Sequence, residues 1–171
     1  MVKMVRELGP LAVGVALFGV VIAWLLQGGN AIGNWLFAVF LFGHGWVHTM
    51  YVMRQPATRP VAGATAAGAT EWAFPPLDRS WLLSPLGTPA AASQLLGRLL
   101  AVTTVLLYSL AALATIPLLV PATLWTALII SGTIASAALM LVFFHRNLVI
   151  GLAIDVVLLL VAVMAVWSPA A

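Results

Sequence analysis

The chain has 171 residues, of which 64% are apolar and only 6% charged, and its mean hydropathy is +1.16; a soluble domain carries about 25% charged residues, so a soluble monomer is excluded. The net charge of +3 is seven basic residues against four acidic ones, and the basic residues are scattered over separate sites, which make no nucleic-acid patch. Cysteine is absent, which excludes disulfides, thiolate metal ligands, iron–sulfur clusters and a cysteine nucleophile.

The expected fold is all-α: a polytopic membrane helix bundle of five transmembrane helices, forming one domain over residues 1–171. The predicted spans are 11–26, 32–53, 99–120, 122–144 and 148–167. Each approaches the roughly 20 residues that a hydrocarbon core requires, and helix is the conformation that satisfies an open backbone in lipid. The first span follows Lys3 and Arg6. A cleavable signal peptide is the competing reading of residues 1–29. No small-x-small site follows the apolar run, and Trp24 stands where an anchor belongs, so an uncleaved span is favoured.

The second span holds Gly43-His44-Gly45-Trp46-Val47-His48. Spacing i, i+4 puts the two imidazoles on one helical face, and the stripe continues through Tyr51. Gly43 and Gly45 allow a neighbouring helix or a planar ligand to come close. The loop 54–97 follows. Its first half is rich in Ala, Gly, Pro and Thr and reads as linker. Its second half, with Trp72 and Trp81 among leucines and charges, reads as a cytoplasmic interfacial segment. Ser93 reads as a cap for a short helical lead into the third span.

The third and fourth spans carry the polar residues Tyr108, Ser109, Ser131, Thr133 and Ser136, and Gly132-x-x-x-Ser136 reads as a helix-packing motif. The fifth span holds Asp155, a lone carboxylate in an apolar run. At a bilayer centre such a group costs about 2.5–3.5 kcal/mol on insertion scales, so it needs a partner. Counting 1.5 Å per residue, His48 lies about 9 Å and His44 about 15 Å inward from Arg54, and Asp155 roughly 13 Å inward from Arg146. The three share one depth zone, and spans two and five are expected to be neighbours.

Orientation follows from the basic residues. With the N-terminus inside, Lys3, Arg6, Arg54, Arg59, Arg79, Arg98 and Arg146 all fall on the cytoplasmic side. Trp24, Trp35, Trp125 and Trp167 then fall near the outer boundary as an aromatic belt. The expected topology is N-in, C-out in the cell membrane, with the lipid bilayer as one partner and other membrane subunits or a second copy as further partners.

Three chemistries and one structural alternative fit the polar residues. His44, His48 and Asp155 match the ligand types of a divalent metal site. His48 with His145 is the best pair for a b-type haem. His44, His48, Asp155 and Tyr51 suit exchange of a proton with a quinone-like or other lipid-soluble substrate. The structural alternative is an Asp–His hydrogen bond joining two spans, in a non-catalytic accessory subunit of a larger membrane complex. The sequence holds no phosphate-binding glycine loop, no Gly-x-Ser-x-Gly elbow and no His-Glu-x-x-His.

Overall fold

The computed structural model describes residues 31–53, 74–164 and 169. The predicted span 11–26, the linker part of the loop, and Trp24, Trp72 and Trp167 lie outside the described residues. Among the described residues the chain is all-helical, with four α-helices and no strand. These are α1 (Ala31–Val47), α2 (Ala90–Thr115), α3 (Trp125–Val142) and α4 (Val149–Val163). They contact one another in chain order: α2 packs on α1 and on α3, and α3 packs on α4.

Local chemistry sets the helix boundaries. Helix α1 tightens into a 3-10 turn at His48–Tyr51. There the His48 Nδ1 donates to the carbonyls of His44 (3.1 Å) and Gly45 (3.3 Å), and Thr49 Oγ1 donates to Trp46 O (2.8 Å). These side-chain donors compete with the backbone ladder and end the regular helix. Helix α2 begins at Ala90, nine residues before the predicted 99, because Pro89 takes the N-cap with extended ψ of 142°. It stops at Thr115 because Ile116 precedes Pro117 and is pushed out of the helical region. Ser93 is therefore not a cap. It lies inside α2, buried, and donates to Leu77 O at 2.8 Å, which fastens the preceding loop to the helix.

The loop also finishes α3. Ser80 is 1% exposed, and its hydroxyl donates to Val142 O at 2.5 Å, while the Trp81 indole N–H donates to Leu141 O at 2.7 Å. Both carbonyls belong to the last turn, where no helical N–H reaches them. Ser80→Ala is expected to lower unfolding stability in detergent by about 1–3 kcal/mol, since it strands a buried acceptor. Trp81→Phe, at an exposed site, should change it by less than about 1 kcal/mol. Thermal unfolding of the two variants checks the ranking, and an unmoved Ser80→Ala contradicts this account of the helix end.

Two apolar clusters occupy the interior. One gathers Phe37, Leu41, Ala111, Trp125, Ile129 and Leu158; the other gathers Tyr51, Leu77, Ala101, Leu139, Phe143 and Leu148. On every helix buried polar residues lie between these two sets: His44 and His48 on or just beyond α1, Thr104 and Tyr108 on α2, Thr133 and Ser136 on α3, and Asp155 on α4; Ser93 and Thr115, also buried, lie toward the two ends of α2. The bundle is thus apolar, then polar, then apolar along its axis. Small buried residues, Gly97, Ala101, Thr104, Ala111 and Thr115, recur on one face of α2, interrupted by the larger Tyr108, and let α1 and α3 approach it.

Large apolar side chains line the outer faces of the described helices. Trp35, Val39, Phe42 and Trp46 on α1, Leu99 and Leu106 on α2, Ile134 on α3 and Val156 and Leu160 on α4 are all exposed. Two helical stretches, Ala90–Thr115 and Ala122–Val142, are long and apolar enough to cross a membrane, and Val149–Val163 is apolar but shorter. Trp125 departs from the predicted aromatic belt. It is 1% exposed, packs in the first cluster, and its indole N–H donates to Thr115 Oγ1 at 3.0 Å. A buried hydroxyl on the last residue of α2 gives the indole a partner inside the bundle, which a surface position does not require.

Candidate functional site

The polar layer centres on Asp155, which α4 presents to the interior at 1% exposure. His44, its side chain 7% exposed, donates from Nε2 to Asp155 Oδ1 at 2.9 Å. Tyr108 donates its hydroxyl to the same Oδ1 at 2.7 Å. The Tyr108 oxygen lies 3.1 Å from Thr133 Oγ1. Its single proton is committed to Asp155, so Thr133 is the donor in that bond. Four helices therefore meet at one carboxylate: α1 through His44, α2 through Tyr108, α3 through Thr133 by way of Tyr108, and α4 through Asp155 itself.

Close packing holds this geometry. The His44 ring lies edge-on to the Tyr108 ring, with centroids 5.1 Å apart, and stacks on Phe40 at 5.9 Å. Tyr108 is wedged between two glycines. A Cβ at Gly45 would sit 2.6 Å from Tyr108 Cβ, while one at Gly132 would find Tyr108 Cδ1 at 3.6 Å. The missing Cβ at Gly45 is what allows α2 this close to α1. Gly43, the other glycine predicted to admit a neighbour, meets nothing within 4 Å. Its flexibility has no packing role among the described residues.

His48 forms a second, smaller network. Its Nδ1 donates to backbone carbonyls, so its Nε2 carries a lone pair and accepts from Ser136 Oγ at 2.9 Å. The two imidazoles therefore hold opposite tautomers: the proton is on Nε2 in His44 and on Nδ1 in His48. Their rings are 5.6 Å apart and nearly perpendicular. His48 stacks on Tyr51, with centroids 6.4 Å apart, and Phe74 closes over Tyr51.

The structure thus brings His44 and Asp155 into contact, as matched depth anticipated, and adds Tyr108, Thr133 and Ser136 from the wider set of polar candidates. Ser131 is exposed and Ser109 half-buried, and neither joins the site. Among the described residues no three His, Asp or Glu side chains are disposed to hold a metal ion. Both nitrogens of His48 face protein groups, and His145 lies beyond the end of α3, in the turn whose carbonyl accepts from Leu148 N–H at 2.9 Å. Gly45 as the seat of Tyr108 was the least visible feature in the sequence, because a glycine's neighbour is set by how two helices cross.

Two buried polar atoms have no hydrogen-bond partner among the described residues, Asp155 Oδ2 and Tyr51 Oη. The unpartnered Tyr51 hydroxyl and the bonded Tyr108 hydroxyl predict opposite outcomes on removal. Tyr51→Phe should leave stability unchanged or raise it by up to about 1 kcal/mol, because an unpaired buried hydroxyl gains nothing from the fold. Tyr108→Phe, which strips a bonded hydroxyl, should lower it by about 1–3 kcal/mol. Unfolding in detergent compares the two, and a Tyr51→Phe loss as large as that of Tyr108→Phe contradicts the assignment of partners. No protein-family model matches the chain, and no curated protein and no solved structure matches it.

Proposed function

We propose that this chain is a multi-pass membrane protein, N-terminus cytoplasmic, whose bundle interior exchanges a proton at the Asp155–His44 pair. The observation that carries the reading is the 2.9 Å contact between His44 Nε2 and Asp155 Oδ1, buried between two apolar clusters. An ionisable pair in such a layer is expensive and, in membrane bundles, marks proton or substrate pathways. The exposed apolar side chains of all four helices support the membrane setting. The one-sided placement of the seven basic residues supports the orientation.

The chemistry is local. Deprotonated Asp155 accepts from His44 and Tyr108. When Asp155 takes up a proton, its charge is lost and both bonds weaken, since bonds to a charged acceptor are the stronger ones. The imidazole and phenol then serve as sensors of the carboxyl state. A lipid-soluble substrate of the quinone class is the proton partner this reading assigns, because such a molecule partitions into the bilayer to this depth.

Nitrogen-15 NMR of histidine-labelled protein in lipid tests the reading. The His44 Nε2 resonance should move reversibly with pH, and Asp155→Asn should abolish the movement. A resonance that stays fixed over every pH at which the fold persists rules out proton exchange at this pair. The second reading, an accessory subunit in which the carboxylate only fastens helices, is favoured by the fact that Oδ1 ties α4 to both α1 and α2. It predicts the fixed resonance.

A further inference from the structure

Asp155 uses its two oxygens unequally. Oδ1 accepts both donors, from His44 and Tyr108, whereas Oδ2 is buried and has no partner. Hydrogen bonds to a carboxylate oxygen draw charge onto that oxygen and make it the poorer place for a proton. A buried carboxylate oxygen without a donor is far costlier than a neutral hydroxyl in the same spot. We infer that the proton Asp155 exchanges is carried on Oδ2, and that Gly45 is the positioning residue that keeps Oδ1 occupied by seating Tyr108. This rests on the proton-exchange reading above and specifies its reacting atom.

The step balances without any co-reactant. One proton arrives, an O–H bond forms at Oδ2, and the carboxylate becomes a neutral acid whose carbonyl oxygen is Oδ1. The surrounding groups are consistent with this assignment. From α1 and the turn that follows it, the titratable groups facing Asp155 are His44 and His48; from α2, Tyr108. Helix α3 contributes Thr133 and Ser136 to this layer and has no titratable residue in its sequence, and α4 has none besides Asp155. Both direct donors converge on Oδ1. Tyr108 reaches it only because nothing projects from Gly45, where a Cβ would stand 2.6 Å from Tyr108 Cβ.

Infrared spectroscopy of the full chain in lipid distinguishes the two oxygens. The carbonyl stretch of protonated Asp155, assigned by its loss in Asp155→Asn, reports hydrogen bonds to whichever oxygen lacks the proton. With the proton on Oδ2, Tyr108→Phe removes one of two bonds to the carbonyl, and the band moves to higher frequency. Gly45→Ala displaces Tyr108 and moves it the same way, while Gly43→Ala leaves it in place. Thr133→Val keeps Tyr108 seated but weakens its hydroxyl as a donor, and should give a smaller shift in the same direction. It covers the case in which Tyr108→Phe does not fold. A band present but unmoved in both Tyr108→Phe and Thr133→Val places the proton on Oδ1 and overturns this inference alone. A shift with Tyr108→Phe but none with Gly45→Ala overturns the role of Gly45. A carboxyl that never protonates while the fold persists overturns both this inference and proton exchange.

Discussion

Asp155→Leu is expected to lower unfolding stability in detergent by about 3 kcal/mol, and Asp155→Asn by less than half of that. Leucine matches the apolar run around it, so a hydropathy argument alone would call the change favourable. The hydrogen bonds say otherwise. Removing the carboxylate leaves the His44 Nε2–H without an acceptor and deprives Tyr108 of the stronger of its two bonds. Each stranded buried donor costs about 1–3 kcal/mol. Asparagine keeps a carbonyl oxygen able to accept both donors, and its neutral N–H₂ replaces an oxygen, Oδ2, that already lacks a partner, so one unpartnered group is exchanged for another. Equal stability of the wild type and both variants contradicts the claim that this carboxylate holds α1, α2 and α4 together.

The two glycines flanking His44 should respond in opposite directions to one added methyl group. Gly45→Ala is expected to lower stability by about 1–3 kcal/mol, the usual range for overpacking. Its Cβ would meet Tyr108 Cβ at 2.6 Å, and that atom is fixed to the backbone of α2, so relief requires the helices to separate. The same separation draws the Tyr108 hydroxyl from Asp155. Gly43→Ala meets nothing within 4 Å and should raise stability by about 0.5–1 kcal/mol, because alanine loses less backbone entropy in a helix. Thermal unfolding of the paired variants reads both signs. A stabilising Gly45→Ala would mean that α1 and α2 are not packed as closely as this geometry requires.

Much of the site was legible in the sequence because depth along a helix is a simple count. His44 and Asp155 could be placed at one level from Arg54 and Arg146, and a lone carboxylate in an apolar run demands a partner. The i, i+4 spacing correctly put His44 and His48 on one face, but it could not show that they do different things. That difference arises from rotation about the side-chain bonds, which aims His44 across the bundle and His48 back at its own carbonyls. Tyr108, Thr133 and Ser136 were candidates among five polar residues on their helices. Choosing between them and Ser109 or Ser131 depends on helix rotation, which the weak amphipathicity of α3 leaves undetermined in the sequence. Helix boundaries were missed where loop contacts decide them: Ser93 looked like a cap, and is instead held inside α2 against Leu77. Trp125 looked like a membrane-surface anchor because its partner, Thr115, lies across a turn and is not adjacent in sequence.

Acid-minus-alkaline infrared difference spectroscopy of the lipid-embedded chain measures a reversible proton on Asp155 without an intermediate probe. A protonated-carboxyl band should appear on acidification, disappear on return to alkaline pH, and be absent in Asp155→Asn while Ser136→Ala retains it. A wild-type difference spectrum with no such band, recorded while the helical signature is intact, would contradict proton exchange and leave Asp155 as a structural fastener only.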